Sequence, residues 1–248
     1  GGGLAVSGAV MQGVFRNPLA DPGLLGVSAG AGLGALVALV MGMTTFYLLP
    51  SAAFAGALLA VAIILGVSFA ARGRQTSSVT LVMSGMAVSA LFSAFTSLLL
   101  TLSNQYQVSS YIFWTMGGLS NRRWEHVLTV LLPVLLCTAA LLLLAGRLDV
   151  MLLGDEQAKA LGVNSGRNRV AMILLASLCT ASVVCVTGPI GFVGLMVPHI
   201  TRLLVGSDHK RVLPVCALLG GILVVWVDVA ARLVIAPQEL PLGVLTAV

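Results

Sequence analysis

Charge is scarce in this chain. Asp, Glu, Lys and Arg make up 8% of its 248 residues, against about 25% in an ordinary soluble domain. So few charges cannot cover a water-facing surface, which excludes a soluble globular protein. The basic residues number 13 against 8 acids, but they lie singly between apolar runs and form no patch of the kind nucleic acid needs. Lysine is rarer still. The two lysines, Lys159 before Ala160 and Lys210 before Arg211, cannot complete G-x-x-x-x-G-K-[ST], so the chain has no P-loop and is not itself an ATPase. The four cysteines, Cys137, Cys179, Cys185 and Cys216, fall in apolar stretches without a C-x-x-C pair and read as small hydrophobes rather than metal ligands or disulfide partners. There is no H-E-x-x-H, no G-x-S-x-G and no carboxylate pair in an apolar setting. No catalytic residue, metal site or cofactor is expected.

What is abundant is apolar. Hydrophobic residues make up 58% of the chain, with a mean hydropathy of +1.07. The fold expected is all-α, a polytopic helical membrane protein in one transmembrane domain over residues 1–248. A bilayer core needs about 20 apolar residues per helix, a test met at 23–43, 50–71, 79–102, 126–146, 169–187 and 212–235. Residues 1–15 read as the tail of another span and 240–248 as the head of one more. Residues 190–205, with Pro198, His199 and Arg202, are a short or broken span. Both ends read as cut points in a longer chain. The small residues Gly26, Ser28, Gly30, Gly32 and Gly34 predict close helix packing, because in lipid helices associate by contact.

If 16–22 faces the cytoplasm, alternation puts 72–78, 147–168 and 206–211 there too, provided 190–205 crosses. That side, with its flanks, then holds Arg16, Arg72, Arg74, Arg147, Lys159, Arg167, Arg169, Arg202, Lys210 and Arg211. The other side holds Arg122, Arg123 and Arg232. Ten against three is a positive-inside bias. Residues 107–118 are apolar and aromatic but too short to span, and predict an interfacial or re-entrant helix capped by Gly117 and Gly118. In the long cytoplasmic connection, Asp155 and Glu156 suit the first turn of a short helix and Gly162 its end. Ala158 and Leu161, three apart, make a small apolar face. Such a stub is either a connector or a docking point. His199, beside Pro198, reads as a histidine bonded to a neighbouring backbone carbonyl. Asp228 and Arg232, four apart on one helix face, read as local neutralisation. Proton- or sodium-driven carriers usually bury ionisable groups near midplane. Few are available here, which favours an external energy source over a carrier acting alone.

Four separated segments resemble one family. They are GLAVSGAVMQGVFRNPLADPGLLGVSAGAGLGA (Gly3 to Ala35), LGDEQAKALGV (Leu153 to Val163), GPIGFVGLMVPHITRL (Gly188 to Leu203) and ELPLGVLTA (Glu239 to Ala247). In that order they are similar to the motifs of the vitamin B12, haem and iron-siderophore permeases of type II ABC importers. The resemblance implies about ten spans in the full subunit, with the first span, the start of the second and most of the last outside this sequence. It implies a homodimer of permease copies in the lipid of a bacterial inner membrane, a cytoplasmic ABC ATPase dimer and a periplasmic binding protein as partners, and no nucleic acid. It also implies a cargo that is a metal chelate, with a ferric siderophore or haem favoured and cobalamin next. By the same resemblance, the stub from Gly154 to Gly162 looks like the ATPase-coupling helix, contacting through Asp155, Glu156, Ala158 and Leu161. Arg232 looks like a docking residue for the binding protein. Ser77 and Ser78 are similar in position to a cytoplasmic gate, where Val79 replaces a further small polar residue. The P-H motif at His199 is expected to be structural.

Overall fold

The structure, a computed structural model, describes residues 1–43, 45–72, 78–120, 122–235 and 238–247, without the side chains of residues 71, 72 and 78. The described residues form eleven α-helices, one 3-10 turn and no strand. In chain order the helices are α1 (Gly2–Phe15), α2 (Val27–Val40), α3 (Leu48–Arg72), α4 (Ser78–Leu102), α5 (Gln105–Thr115), α6 (Trp124–Leu152), α7 (Asp155–Ala160), α8 (Ser165–Thr187), α9 (Val193–Val205), α10 (His209–Leu233) and α11 (Leu242–Leu245). Five of them, α3, α4, α6, α8 and α10, are long and apolar enough to cross a membrane. At about 1.5 Å per residue, the 25 residues of α3 extend roughly 37 Å, beyond the roughly 30 Å of a hydrocarbon core.

The stretch expected as one span at 23–43 is broken. Asp21 caps a 3-10 turn over Pro22–Leu25, its carboxylate accepting from the Gly23 N–H at 2.7 Å. α2 starts only at Val27 and has 14 residues. Pro22 and Gly26, the latter in the left-handed region at φ 66, account for the break. α6 runs on to Leu152, past the 146 expected from hydropathy, because Arg147 and Asp149 end the apolar run without ending the helix. α5 occupies most of the segment expected as an interfacial helix. It opens with a capping box between Asn104 and Gln107, and Gly117 follows it at φ 65.

α1 lies at the centre, with 13 of its 14 residues buried among α6, α8, α9 and α10. No bulky residue could sit everywhere on such a helix. At Gly8 an added Cβ would stand 2.0 Å from the Gly194 carbonyl oxygen of α9. The α2–α3 pair is built the same way: Gly30 and Gly34 face Ala52, Gly56 and Ala60, a small-residue seam with the four-residue spacing that lets helix backbones meet. Cys137, Cys179, Cys185 and Cys216 are buried thiols within α6, α8 and α10.

Candidate functional site

Two polar clusters lie at opposite ends of the helices. The first joins the end of α1, the end of α6, α7, the start of α8 and the start of α10, which places residues 16, 147–169 and 206–211 on one face, as alternation requires. Arg16, the C-cap of α1 in the left-handed region at φ 49, donates to the Met151 carbonyl and pairs with Asp155 at 3.4 Å. Arg169 of α8, whose side chain is 8% exposed, approaches the same carboxylate at 3.1 Å. Arg147 donates to Asn168 at 3.3 Å. Asp149 and His209 Nδ1 are 2.5 Å apart, tying α6 to α10.

α7 is short and tightly bounded. Gly154 at its start has φ 128 and Gly162 at its end φ 78, conformations that L side chains avoid. The Gly162 N–H bonds to the Lys159 carbonyl at 3.0 Å and the Val163 N–H to that of Ala158 at 2.8 Å, a Schellman motif. Asp155 and Glu156 sit in the first turn and Lys159 in the last, as the helix dipole favours. The arrangement corrects one expectation. Ala158 is 0% exposed and turned into its own protein, so it offers no side chain to a partner on the outer side of α7. That side carries Glu156, Gln157, Lys159 and Leu161, with Leu161 62% exposed. Asp155 is only half free, because Arg16 and Arg169 hold it.

On the opposite face, the 239–245 segment is stitched to the end of α5. The Leu242 N–H donates to the Gly117 carbonyl at 3.1 Å and the Gly243 N–H to that of Met116 at 3.0 Å. Arg232 lies 2.9 Å from Asp228 and 3.5 Å from Glu239, and Ser120 donates to Glu239. A cavity of about 260 Å³ opens beside them, lined by Trp114, Arg122, Thr187 and this acid–base cluster. Partial burial pulls the Arg122 pKa down from the ordinary arginine value. Arg232 is therefore no bare cation but the centre of a group with two carboxylates.

Of the remaining expected residues, Ser77 lies outside the described residues. Ser78 opens α4, its side chain outside the description, and Val79 beside it is exposed. His199 is exposed and has no hydrogen bond among the described residues, so the expected backbone partner is not there. The buried polar contact of α9 belongs instead to Arg202, which donates to Gln12 of α1 at 2.5 Å. Gln12 in turn donates to the carbonyls of Gly194 and Leu195. Sequence reading passed over this pair, although Gln12 is the single amide in an otherwise apolar segment.

A central buried helix, long apolar helices around it and polar faces at both ends define a multi-pass helical membrane protein. The family model described as the FecCD transport family matches residues 1–248, and the chain belongs to that family. It is 42% identical to the cobalamin import system permease protein BtuC of Halobacterium salinarum over 100% of this chain and 66% of that one. It is 39% identical to the hemin transport system permease protein HmuU of Yersinia pestis over 98% and 73%. The chain thus spans about two thirds to three quarters of the length of these relatives. A solved structure described as an inward-facing conformation of a metal-chelate type ABC transporter matches with a TM-score of 0.93 at 37% identity, over 99% of this chain and 78% of that one.

Proposed function

We propose that the chain is the membrane-spanning part of an ATP-driven importer that passes a bulky metal chelate inward. The observation that carries this reading is α7. It is a rigid, doubly glycine-bounded stub on the arginine-rich face, anchored through Asp155, with Glu156, Lys159 and Leu161 turned outward. A carrier acting alone has no use for such a surface, whereas a partner that hydrolyses ATP needs a mechanical contact there. The positive-inside bias puts it in the cytoplasm. The opposite face, with Arg232, Asp228 and Glu239, then receives a binding protein, and two copies of the permease enclose the path. The resemblance of the Ser77–Ser78 stretch to the family's cytoplasmic gate makes these two serines the gate of that path. Cobalamin and hemin, named for two relatives, support a bulky chelate as the cargo, and ferric siderophores belong to the same class.

The test is reconstitution of the full-length permease with its ATPase in liposomes, with binding protein added outside. Labelled haem, cobalamin and ferric siderophore are offered in turn. Uptake of at least one that requires both ATP and binding protein is the expected result. Uptake driven by an ion gradient without ATP would sink the proposal.

A further inference from the structure

Charge is unevenly shared in the cavity of about 260 Å³ at the end of α5. Arg122, Arg232, Asp228 and Glu239 all line it. Arg232 takes both carboxylates, Asp228 at 2.9 Å and Glu239 at 3.5 Å. Arg122 stands at the exposed rim of the same cavity and forms no ion pair among the described residues. One cation thus carries two acids, while another bordering the same space carries none.

The two acids are held differently. Asp228 lies one turn before Arg232 on α10, and both of its oxygens accept from the guanidinium. Glu239 lies outside any helix. It reaches Arg232 with Oε1 alone, at 3.5 Å, and accepts from the Ser120 hydroxyl through Oε2. Ser120 lines the cavity too, two residues before Arg122. The Glu239 carboxylate therefore already bridges from α10 to the stretch that carries Arg122. Exposed pairs of this kind differ little in energy, so a modest bias is enough to move the carboxylate from one guanidinium to the other.

Glu239 also sits where its movement is passed on. On one side the Leu240 N–H bonds to the Ala231 carbonyl of α10 at 3.0 Å, and on the other the N–H groups of Leu242 and Gly243 hold the end of α5. We propose that Glu239 is a switch carboxylate. It occupies Arg232 in this structure, and passes to Arg122 when an acidic side chain of the binding protein takes its place on Arg232. The switch rests on the reading that this face receives the binding protein. Docking is then felt at the end of α5 through one internal carboxylate, and Arg122 is its landing place, not a contact of the partner.

The test is a double-mutant cycle on the full-length permease with its ATPase in nanodiscs, with binding-protein affinity read by surface plasmon resonance at low salt. Arg122→Gln should weaken association about three- to fivefold, the upper range for an exposed pair. Glu239→Gln should tighten it, because Arg232 then has one competitor fewer. With Glu239→Gln in place, adding Arg122→Gln should change affinity by less than about twofold, the usual limit for positions that no longer interact. Arg122→Lys keeps the charge and should bind as the unaltered protein does. Spin labels at position 109 of α5 and position 229 of α10, both exposed, report the movement, since the four native thiols are buried and escape labelling. Their separation should change when binding protein is added, and stay fixed in Glu239→Gln. An equal loss on Arg122→Gln in both backgrounds would make Arg122 a direct contact of the partner. No loss in either would leave the carboxylate without a second position. Each of these results overturns the switch and leaves docking at this face intact. A wild-type complex that does not bind the binding protein at all would overturn the docking reading, and the switch with it.

Discussion

Arg169, almost wholly enclosed at the start of α8, directs its guanidinium at Asp155, the first residue of α7, at 3.1 Å. Asp155 is more than half exposed and shares its carboxylate with Arg16, so the stub is pinned to the ends of α1 and α8 together. Asp155 is the carboxylate that both guanidinium groups share, so its loss weakens two pairs at once. Asp155→Ala is therefore expected to destabilise the permease by about 1–2 kcal/mol, the range for a charge-assisted bond discounted for exposure. Arg169→Met, which removes the enclosed charge itself, should cost less. Thermal unfolding in one detergent ranks the two, and the reverse order would mean that the pair does not anchor α7.

The inward turn of Ala158 separates two kinds of defect in the same helix. Ala158→Glu forces a carboxylate into a closed contact, where overpacking alone typically costs about 1–3 kcal/mol and an unpaired charge adds to it. It should lower stability even without the ATPase. Leu161→Glu changes an outward residue, and is expected to leave stability unchanged while weakening ATPase binding and uptake. Melting curves of the permease alone, set beside co-purification of the ATPase, distinguish the two. Coupling through this helix is refuted if Leu161→Glu retains full ATPase binding and full uptake.

The same helix shows how far sequence reaches. Its ends were legible, because Gly162 and the acids of the first turn obey local rules that tertiary structure left intact. The direction in which Ala158 points was not. Ala158 and Leu161 share a nominal apolar face, yet Leu161 is the C-cap, where the chain leaves the helical path, and the two side chains part. The five long spans and the α5 segment followed from hydropathy, whereas the stretches at 23–43 and 190–205, counted as spans, are shorter helices. The break before α2 was not legible, because an average over twenty residues hides a proline and a glycine four apart. Gln12 and Arg202 meet across 190 residues, and no local pattern announces such a contact. The Asp228–Arg232 pair was visible in its spacing. Its extension to Glu239 needed the turn that folds 238–242 back over α10.

That extension changes what Arg232 can do. Reversing its charge would leave three acids at the end of α10, where the helix dipole is already negative, so Arg232→Glu would confound docking with local repulsion. Arg232→Gln is the cleaner change and should weaken binding-protein association by about 1 kcal/mol or less, as exposed pairs usually do. The converse carries more information. Asp228→Asn with Glu239→Gln frees the guanidinium, and should tighten association with a binding protein that presents carboxylates, most visibly at low salt. Surface plasmon resonance at two ionic strengths reads both effects. Weaker binding after the acids are neutralised would show that they, and not Arg232, face the partner.

The last prediction concerns the α2–α3 seam, where size and not charge decides. At Gly56 an added Cβ would lie 2.2 Å from the Gly30 carbonyl oxygen. Backbone cannot swing aside as a side chain can, so the two helices must separate along the whole seam. Gly66, ten residues further along α3, has nothing within 4 Å of where its Cβ would be. Gly56→Ala is expected to destabilise by about 1–3 kcal/mol, the usual cost of overpacking. Gly66→Ala should be neutral or stabilising by up to about 1 kcal/mol, the helix propensity difference. Because Gly26, just before α2, lies against Ser89 of α4, a shift of α2 also disturbs the helix that begins at Ser78. Gly56→Ala should therefore reduce uptake by more than its lost stability accounts for, measured per folded complex. Equal melting temperatures for Gly56→Ala and Gly66→Ala would mean that the seam is looser than the distances require.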